Sequence, residues 1–271
     1  MPELPEVETI LNDLAPRIEG RVFQEVVLNW PGVVKGSAPD DFVRALRSSK
    51  IERMSRRGKY LVLHIVSGQT MIIHLGMTGR LCLLKPGETP DAHCRVLFRL
   101  DSGLDLSFSD VRKFGRVWLV TDSEAVVGKL GPEALEIESR VEYLREKLQG
   151  RFANIKARLL DQTFLAGLGN IYVDEALFEA GIHPSRPAGG LSQEEISRLA
   201  RSISLVLRRG IVNRGTTFDD YRDGLGRKGN NQQALSVFHR TGAPCHRCGT
   251  PIKRTVVSGR GTHFCPNCQK E

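Results

Sequence analysis

The stretch YLVLHIVSGQTMIIHLGMTGRLCLL, residues 60–84, carries three short apolar runs, Tyr60–Val66, Thr70–Leu75 and Arg80–Leu84, separated by Ser-Gly and Met-Thr-Gly. Runs this short, rich in Val, Ile and Leu and punctuated by glycine turns, read as strands. The pattern continues through Val96–Leu100, Leu104–Phe108 and Arg116–Val120, with Lys-Pro-Gly-Glu and Asp-Ser-Gly between them. An antiparallel β-sandwich or barrel is therefore expected between Lys50 and Val120. Upstream, Arg21–Asn29 is rich in valine, and Pro5 suits the first position of a helix with Val7, Ile10, Leu11 and Leu14 on one face.

Downstream the character changes. Asp122–Arg140 lacks strand periodicity and contains Gly131-Pro132, which places a domain boundary there. Helices are predicted over Val141–Leu148, Ile155–Asp161 and Asn170–Ala180. Ser192-Gln193-Glu194-Glu195 is a capping box, opening a long helix with Ile196, Leu199, Ile203, Val206 and Leu207 on one face and Arg198, Arg201, Arg208 and Arg209 on its solvated side. Arg214–Gln233 is dense in Gly, Asp, Asn and Arg without periodicity, and so long a loop points to function or disorder. The expected segments are 1–131, 132–234 including the loop 214–233, and 235–271, an α+β arrangement.

The 271 residues are 40% hydrophobic, ample for real cores, and Lys and Arg outnumber Asp and Glu 39 to 31 for a net charge of +8. That balance suggests a polyanionic partner and leaves DNA and RNA equally open. No apolar run approaches the ~18 residues of a membrane span, and the acidic N-terminus lacks the basic and apolar regions of a signal peptide, so a cytosolic monomer away from membranes is expected.

Cys245-x2-Cys248 and Cys265-x2-Cys268, with 16 residues between the pairs, have the spacing of a four-cysteine zinc ribbon. Four thiolates leave no open position, so one structural Zn2+ is expected, with no redox or organic cofactor. Cys82 and Cys94 read as buried core thiols. Between the cysteine pairs, Ile252–Val257 and Thr262–Phe264 would form a hairpin with Ser258-Gly259-Arg260-Gly261 at its tip, carrying Arg260 on a rigid support.

The first eight residues, Met1-Pro2-Glu3-Leu4-Pro5-Glu6-Val7-Glu8, hold the most reactive chemistry. With the initiator methionine removed, Pro2 carries a free secondary amine. α-Amino groups titrate near ~7.7–8.0 against ~10.4 for lysine, so an appreciable fraction is uncharged at neutral pH. Attack on a sugar C1′ would give an iminium, already cationic and an electron sink, with Glu3 and Glu6 near enough to move protons or orient the amine. Taken alone, the same residues are simply a helix start with acidic groups at the positive end of the dipole. Gly167-Leu168-Gly169-Asn170 lies between two helices, where backbone amides can meet a phosphate or where Asn170 is just a helix cap. Arg151 and Lys156 make a basic segment that would otherwise be a solvated helix face. Arg56-Arg57-Gly58-Lys59-Tyr60 is a basic turn entering a strand, and Asp110-Val111-Arg112-Lys113-Phe114-Gly115-Arg116 offers a cation and an aromatic wedge to a duplex that has lost a base.

As a set, Met-Pro-Glu-Leu-Pro-Glu-Val-Glu-Thr at 1–9, Arg-Arg-Gly-Lys-Tyr at 56–60, His-Leu-Gly-Met at 74–77, Asp-Val-Arg-Lys-Phe-Gly at 110–115, Gly-Leu-Gly-Asn-Ile-Tyr at 167–172 and Gly-Arg-Gly-Thr-His-Phe-Cys at 259–265 resemble bacterial formamidopyrimidine-DNA glycosylases. The likeness runs from end to end. Leu4, Val7 and Glu8 favour this family over the related endonuclease VIII. The resemblance implies a catalytic β-sandwich domain, a helix-two-turn-helix domain with the lesion loop 214–233, and a zinc ribbon. It implies removal of oxidised purines, chiefly 8-oxoguanine and formamidopyrimidines, from duplex DNA, then strand cleavage by β,δ-elimination.

By that resemblance Pro2 is the Schiff-base nucleophile, Glu3 the proton donor in sugar ring opening, Glu6 a residue arranging the amine, Lys59 a proton donor in β-elimination and Arg260 the residue of δ-elimination and phosphate binding. His74, His93, Arg112, Arg151, Lys156 and Asn170 fall at DNA-contacting positions, and Met77, Arg112 and Phe114 match the trio that fills the gap left by an everted base. Two features depart from the pattern. Val237-Phe238-His239-Arg240 stands where many relatives have Val-Tyr-Gly-Arg, and Asn230-Asn231-Gln232 where some place aromatics, which bears on lesion preference. Competing expectations are a non-catalytic zinc-ribbon protein that binds nucleic acid, and an endonuclease VIII-like preference for oxidised pyrimidines.

Overall fold

The computed structural model describes residues 1–271. Two compact units emerge: Met1–Lys129 with Asn213–Gln232, and Leu130–Val212 with Gln233–Glu271.

The first unit opens on α1 (Leu4–Ile18), whose Leu4, Val7, Ile10, Leu14 and Ile18 are fully buried at helical spacing. The helix starts one residue earlier than the sequence suggests, with Glu3 as its cap and Pro5 within its first turn. After it come β1 (Phe23–Leu28), β2 (Val34–Lys35), α2 (Pro39–Leu46), β3 (Ile51–Arg57), β4 (Tyr60–Ile65), β5 (Thr70–His74), β6 (Arg80–Leu84), β7 (Cys94–Leu100), β8 (Asp105–Ser109), β9 (Arg116–Val120) and the short α3 (Glu124–Val127). One sheet runs β1-β7-β8-β6 and the other β2-β9-β5-β4-β3. All pairings are antiparallel except that of the two-residue β2 with β9. Leu61, Leu63 and Ile65 of β4, Met71 and Ile73 of β5, Val96, Phe98 and Leu100 of β7 and Leu106 and Phe108 of β8 join the α1 face in a single core. These alternate residues along each strand are what the period of two demands. The basic pair Arg56 and Arg57, expected in a turn, ends β3, and the turn itself is Gly58-Lys59 with Gly58 at φ +54°.

Residues 213–232 belong by their contacts to this unit, whereas the sequence segmentation joined them to the helices before them. The reason is polar. Arg214 Nη2 meets Asp13 of α1 at 2.6 Å. Asp223, fully buried, accepts from Arg214 and Arg227 and from the Leu225 and Arg227 amides, both at 2.9 Å. Burial opposes ionisation there, but the Arg214 guanidinium and the amides still hold the Asp223 carboxyl below its ordinary range. The Leu83 amide donates to Gly224 O at 2.9 Å, and the Cys82 thiol, pushed up to about 12 by burial, donates to Asp223 O at 3.2 Å. Cys82 is therefore half-buried beneath this segment rather than in the core, where Cys94 is buried.

The second unit contains α4 (Val141–Leu148), α5 (Ile155–Leu160), α6 (Asn170–Ala180) and α7 (Gln193–Val212), then the hairpin β10 (Lys253–Val257) and β11 (Arg260–Phe264). Ser192 caps α7 reciprocally with Glu195, at 3.2 and 2.8 Å. Helix α6 is buried almost all round and crosses α7 where Gly210 leaves room for Tyr172: a Cβ there would lie 2.6 Å from the ring. Ser258 and Gly259, at φ +49° and +71°, form a two-residue hairpin turn, so Arg260 is the first residue of β11 and not part of the tip.

Gly215 sits at φ +79°, and a Cβ on it would come within 2.9 Å of Glu6 Cγ and the Tyr221 ring. Gly215→Ala is expected to lower the urea-unfolding stability by ~1–3 kcal/mol. An unchanged midpoint would contradict the packing of this segment on α1.

Candidate active site and nucleic-acid surface

In the first unit the candidate groups collect at the start of α1. Pro2 is buried, and Glu3 and Glu6 are 3% and 1% exposed. One Glu6 oxygen accepts the Glu3 amide at 2.8 Å and the other the Thr216 amide at 2.7 Å. A single carboxylate therefore ties the backbone beside Pro2 to the 213–232 segment. Lys59, 6% exposed, is carried on the β3–β4 turn. That turn is fastened to α1 by Arg56, whose Nε donates to Glu8 at 2.6 Å and whose Nη1 donates to Gly58 O at 2.9 Å.

His74, at the end of β5, is paired across the sheet with Tyr60 and packs on its ring at 4.7 Å. Its Nδ1 accepts the Gly76 amide at 3.2 Å, which leaves the proton on Nε2. Burial, and then the nearby Lys59 and Arg116 charges, press its pKa down to about 4. The ring is a neutral donor at physiological pH.

Met77 and Phe114 are 43% and 47% exposed, with the Arg112 guanidinium 4.7 Å above the Phe114 ring. Their loops are pressed together at Gly76, where a Cβ would lie 2.7 Å from Gly115 N and Phe114 C. The organiser is Asp110, 1% exposed: one oxygen accepts Thr78 Oγ1 at 2.5 Å and the Arg112 amide at 3.2 Å, the other the Gly115 amide at 2.6 Å. His93 is exposed nearby, its carbonyl accepting the Asp110 amide.

In the second unit Arg151 and Arg260 are exposed and Asn170 is half-buried at the start of α6. Asn170 Nδ2 donates to Gly261 O at 2.9 Å, next to Arg260. Lys156 is turned inward and fully buried, not on a solvated helix face. Its ammonium meets Asp174 at 2.6 Å, Thr262 Oγ1 at 2.8 Å and Gly261 O at 3.2 Å, while the other Asp174 oxygen accepts the His263 amide at 2.8 Å. Glu175, beside Asp174, accepts the amides of Ser236, Val237 and Phe238 at 2.8–2.9 Å. His239 takes φ +59° and stacks on Phe238.

The four cysteine sulfurs lie within 4.8 Å of one another, with Cys245–Cys268 at 3.9 Å and Cys248–Cys265 at 3.5 Å. These distances exceed a disulfide's ~2.05 Å and match the ~3.8 Å edge of a tetrahedron with ~2.3 Å metal–sulfur bonds. The donor set fits one structural zinc.

Residues 1–117 match the formamidopyrimidine-DNA glycosylase N-terminal domain, 130–221 the H2TH domain of the same enzymes, and 242–270 the zinc finger found in FPG and IleRS. The formamidopyrimidine-DNA glycosylase of Heliobacterium modesticaldum is 48% identical over 100% of both chains, and that of Herpetosiphon aurantiacus 45% identical over 99% of this chain and 100% of its own.

The chain belongs to the formamidopyrimidine-DNA glycosylase family.

It is accordingly a DNA N-glycosylase and abasic-site lyase with a zinc finger. Among solved structures it resembles a Lactococcus lactis FPG mutant in complex with a Fapy-dG containing DNA, with a TM-score of 0.93 and 36% identity over 100% of both chains. It also resembles Lactococcus lactis Fpg with an abasic site containing DNA, at 0.92 and 37% over 99% of this chain and 100% of that one. No helix is long and apolar enough to cross a membrane. Sequence reading gave no role to the residues that hold others in place: Asp110, Thr216, Asp174, and Arg56 as the partner of Glu8. Asp174 carried a signal: with Glu175 it forms an acidic pair inside an otherwise largely apolar helix.

The depressed His74 pKa has a definite pH signature. Between pH 6.5 and about 4 the unfolded chain takes up a proton that the folded protein refuses, so stability falls as pH falls through that window. NMR titration is expected to give a His74 midpoint near 4. A midpoint above 6 would contradict the buried neutral ring.

Proposed function

We propose that this protein excises oxidised purines, 8-oxoguanine and formamidopyrimidines, from double-stranded DNA through a Schiff base on Pro2 and then cuts the strand by β,δ-elimination. The reading is supported chiefly by the Glu6 carboxylate bridge, which fixes the backbone beside Pro2 against the 213–232 segment. It requires removal of Met1, because the nitrogen of Pro2 within a peptide bond has no free electron pair.

With Met1 removed, the amine attacks C1′ as the bond to the base breaks, the base leaves with a proton, and Glu3 protonates the ring oxygen so that the sugar opens to an iminium. Loss of a proton from C2′ then expels the 3′ phosphate, and a second elimination expels the 5′ phosphate. Lys59 assists proton transfer in the first elimination, and Arg260 binds phosphate and serves the second. Glu6, with both oxygens on backbone amides, positions the amine rather than acting as a base. A nucleophile cannot reach C1′ of a stacked nucleotide, so the base is turned out at a cost of a few kcal/mol. Met77, Arg112 and Phe114, held together by Asp110, fill the space it leaves, and the 213–232 segment covers the everted base. His74 offers a neutral N–H to phosphate, and His93, Arg151 and Asn170 add further backbone contacts. Lys156 serves indirectly, by holding the carbonyl that follows Arg260.

The test is borohydride trapping on a duplex containing 8-oxoguanine. A covalent protein–DNA adduct is expected from the native protein and a strongly reduced one from Pro2→Gly. No native adduct, or an undiminished one in the variant, would refute the proposal.

A further inference from the structure

The most exposed large apolar side chain in the molecule is Phe152, at 95%. Single exposed apolar residues are common on protein surfaces, but this one is presented by an unusually fixed backbone. The Arg151 amide donates to Leu148 O at 3.1 Å, the Gly189 amide to Arg151 O at 2.8 Å, the Ala188 amide to Ala153 O at 2.9 Å and the Ile155 amide to Arg186 O at 2.8 Å. Asn154 accepts the Ala157 amide at 2.7 Å and donates from Nδ2 to Ser258 Oγ at 2.8 Å, at the turn of the hairpin that carries Arg260. Gly189 is crowded against the same loop, since a Cβ there would lie 2.7 Å from Arg151 N. A backbone pinned on both sides leaves only the two side-chain torsions of Phe152 to be fixed by a partner, so no loop-ordering cost is added on binding.

The neighbours of the ring identify that partner. Arg151 precedes it and is exposed, and the Asn154–Ser258 bond places the loop on the same edge as the start of β11. A cation followed by an aromatic ring matches the alternation of phosphate and deoxyribose along one strand, where the sugar offers an apolar C–H face between charges. We infer that Phe152 is a further DNA-binding residue, packing its ring on a deoxyribose of the duplex backbone while Arg151 takes the adjacent phosphate. The contact carries no base sequence information and extends the footprint of the second unit beyond Arg260 and Asn170. This inference rests on the DNA-repair reading above.

Fluorescence anisotropy on a duplex with a non-cleavable abasic-site analogue, repeated over a series of salt concentrations, separates the alternatives. Phe152→Ala is expected to bind roughly tenfold more weakly with an unchanged slope of log affinity against log salt, because the lost contact is apolar. Phe152→Leu should recover much of the loss. Arg151→Ala should make the slope shallower by about 0.9. Equal affinity of Phe152→Ala and the native protein overturns the inference, as does a changed slope in that variant. Failure of the underlying reading shows elsewhere, as a native protein that gives no borohydride-trapped adduct.

Discussion

The arrangement depends on one carboxylate. Glu6 is almost fully buried and gives one oxygen to the Glu3 amide and the other to the Thr216 amide. A buried charge is tolerated only where hydrogen bonds replace its hydration, and here those donors belong to two backbone segments far apart in sequence. The helix start that carries Pro2 and the segment 213–232 are therefore one mechanical piece. Asp13 repeats the device a few residues along α1 by receiving Arg214, and Tyr221 packs into the same core as the α1 face. Any change that pulls this segment away leaves a buried carboxylate unsatisfied, which couples the position of Pro2 to that of residues 213–232.

The second unit uses the same physics for a different end. Lys156 and Asp174 form a wholly buried ion pair whose side chains also hold β11, at Gly261, Thr262 and His263. Breaking a buried pair by removing one partner typically costs ~3–5 kcal/mol, so the hairpin is held to α5 and α6 firmly. The cysteine cluster closes the far end of the same hairpin. Arg260 is exposed, yet the backbone beneath it is fixed by Lys156, Asn170 and a metal-binding core. Such fixation is what a cation needs if it is to meet a phosphate at a set place.

Much of this was legible in the sequence because it is carried by local patterns. The short apolar runs gave most strands to within a residue or two, the Ser192 capping box marked α7, and the cysteine spacing gave the metal site. The illegible parts are long-range. Nothing local to Lys156 shows that its ammonium turns inward, because its partners lie 18 and more residues away. The attachment of 213–232 to α1 rests on Arg214 and Arg227 meeting Asp13 and Thr216 meeting Glu6, pairings that no periodicity encodes. Strand β3 was missed because its charged residues Glu52, Arg53, Arg56 and Arg57 hide the buried Ile51 and Met54. Helix α2 is too short for its two buried residues, Phe42 and Leu46, to stand out.

The central claim concerns a single nitrogen. Peptide mapping by mass spectrometry of the borohydride-reduced protein–DNA adduct locates the bond directly. The account predicts a sugar-derived mass on the peptide that begins at Pro2, with Met1 absent. The same mass on a peptide containing Lys59, or on a chain that retains Met1, would contradict it.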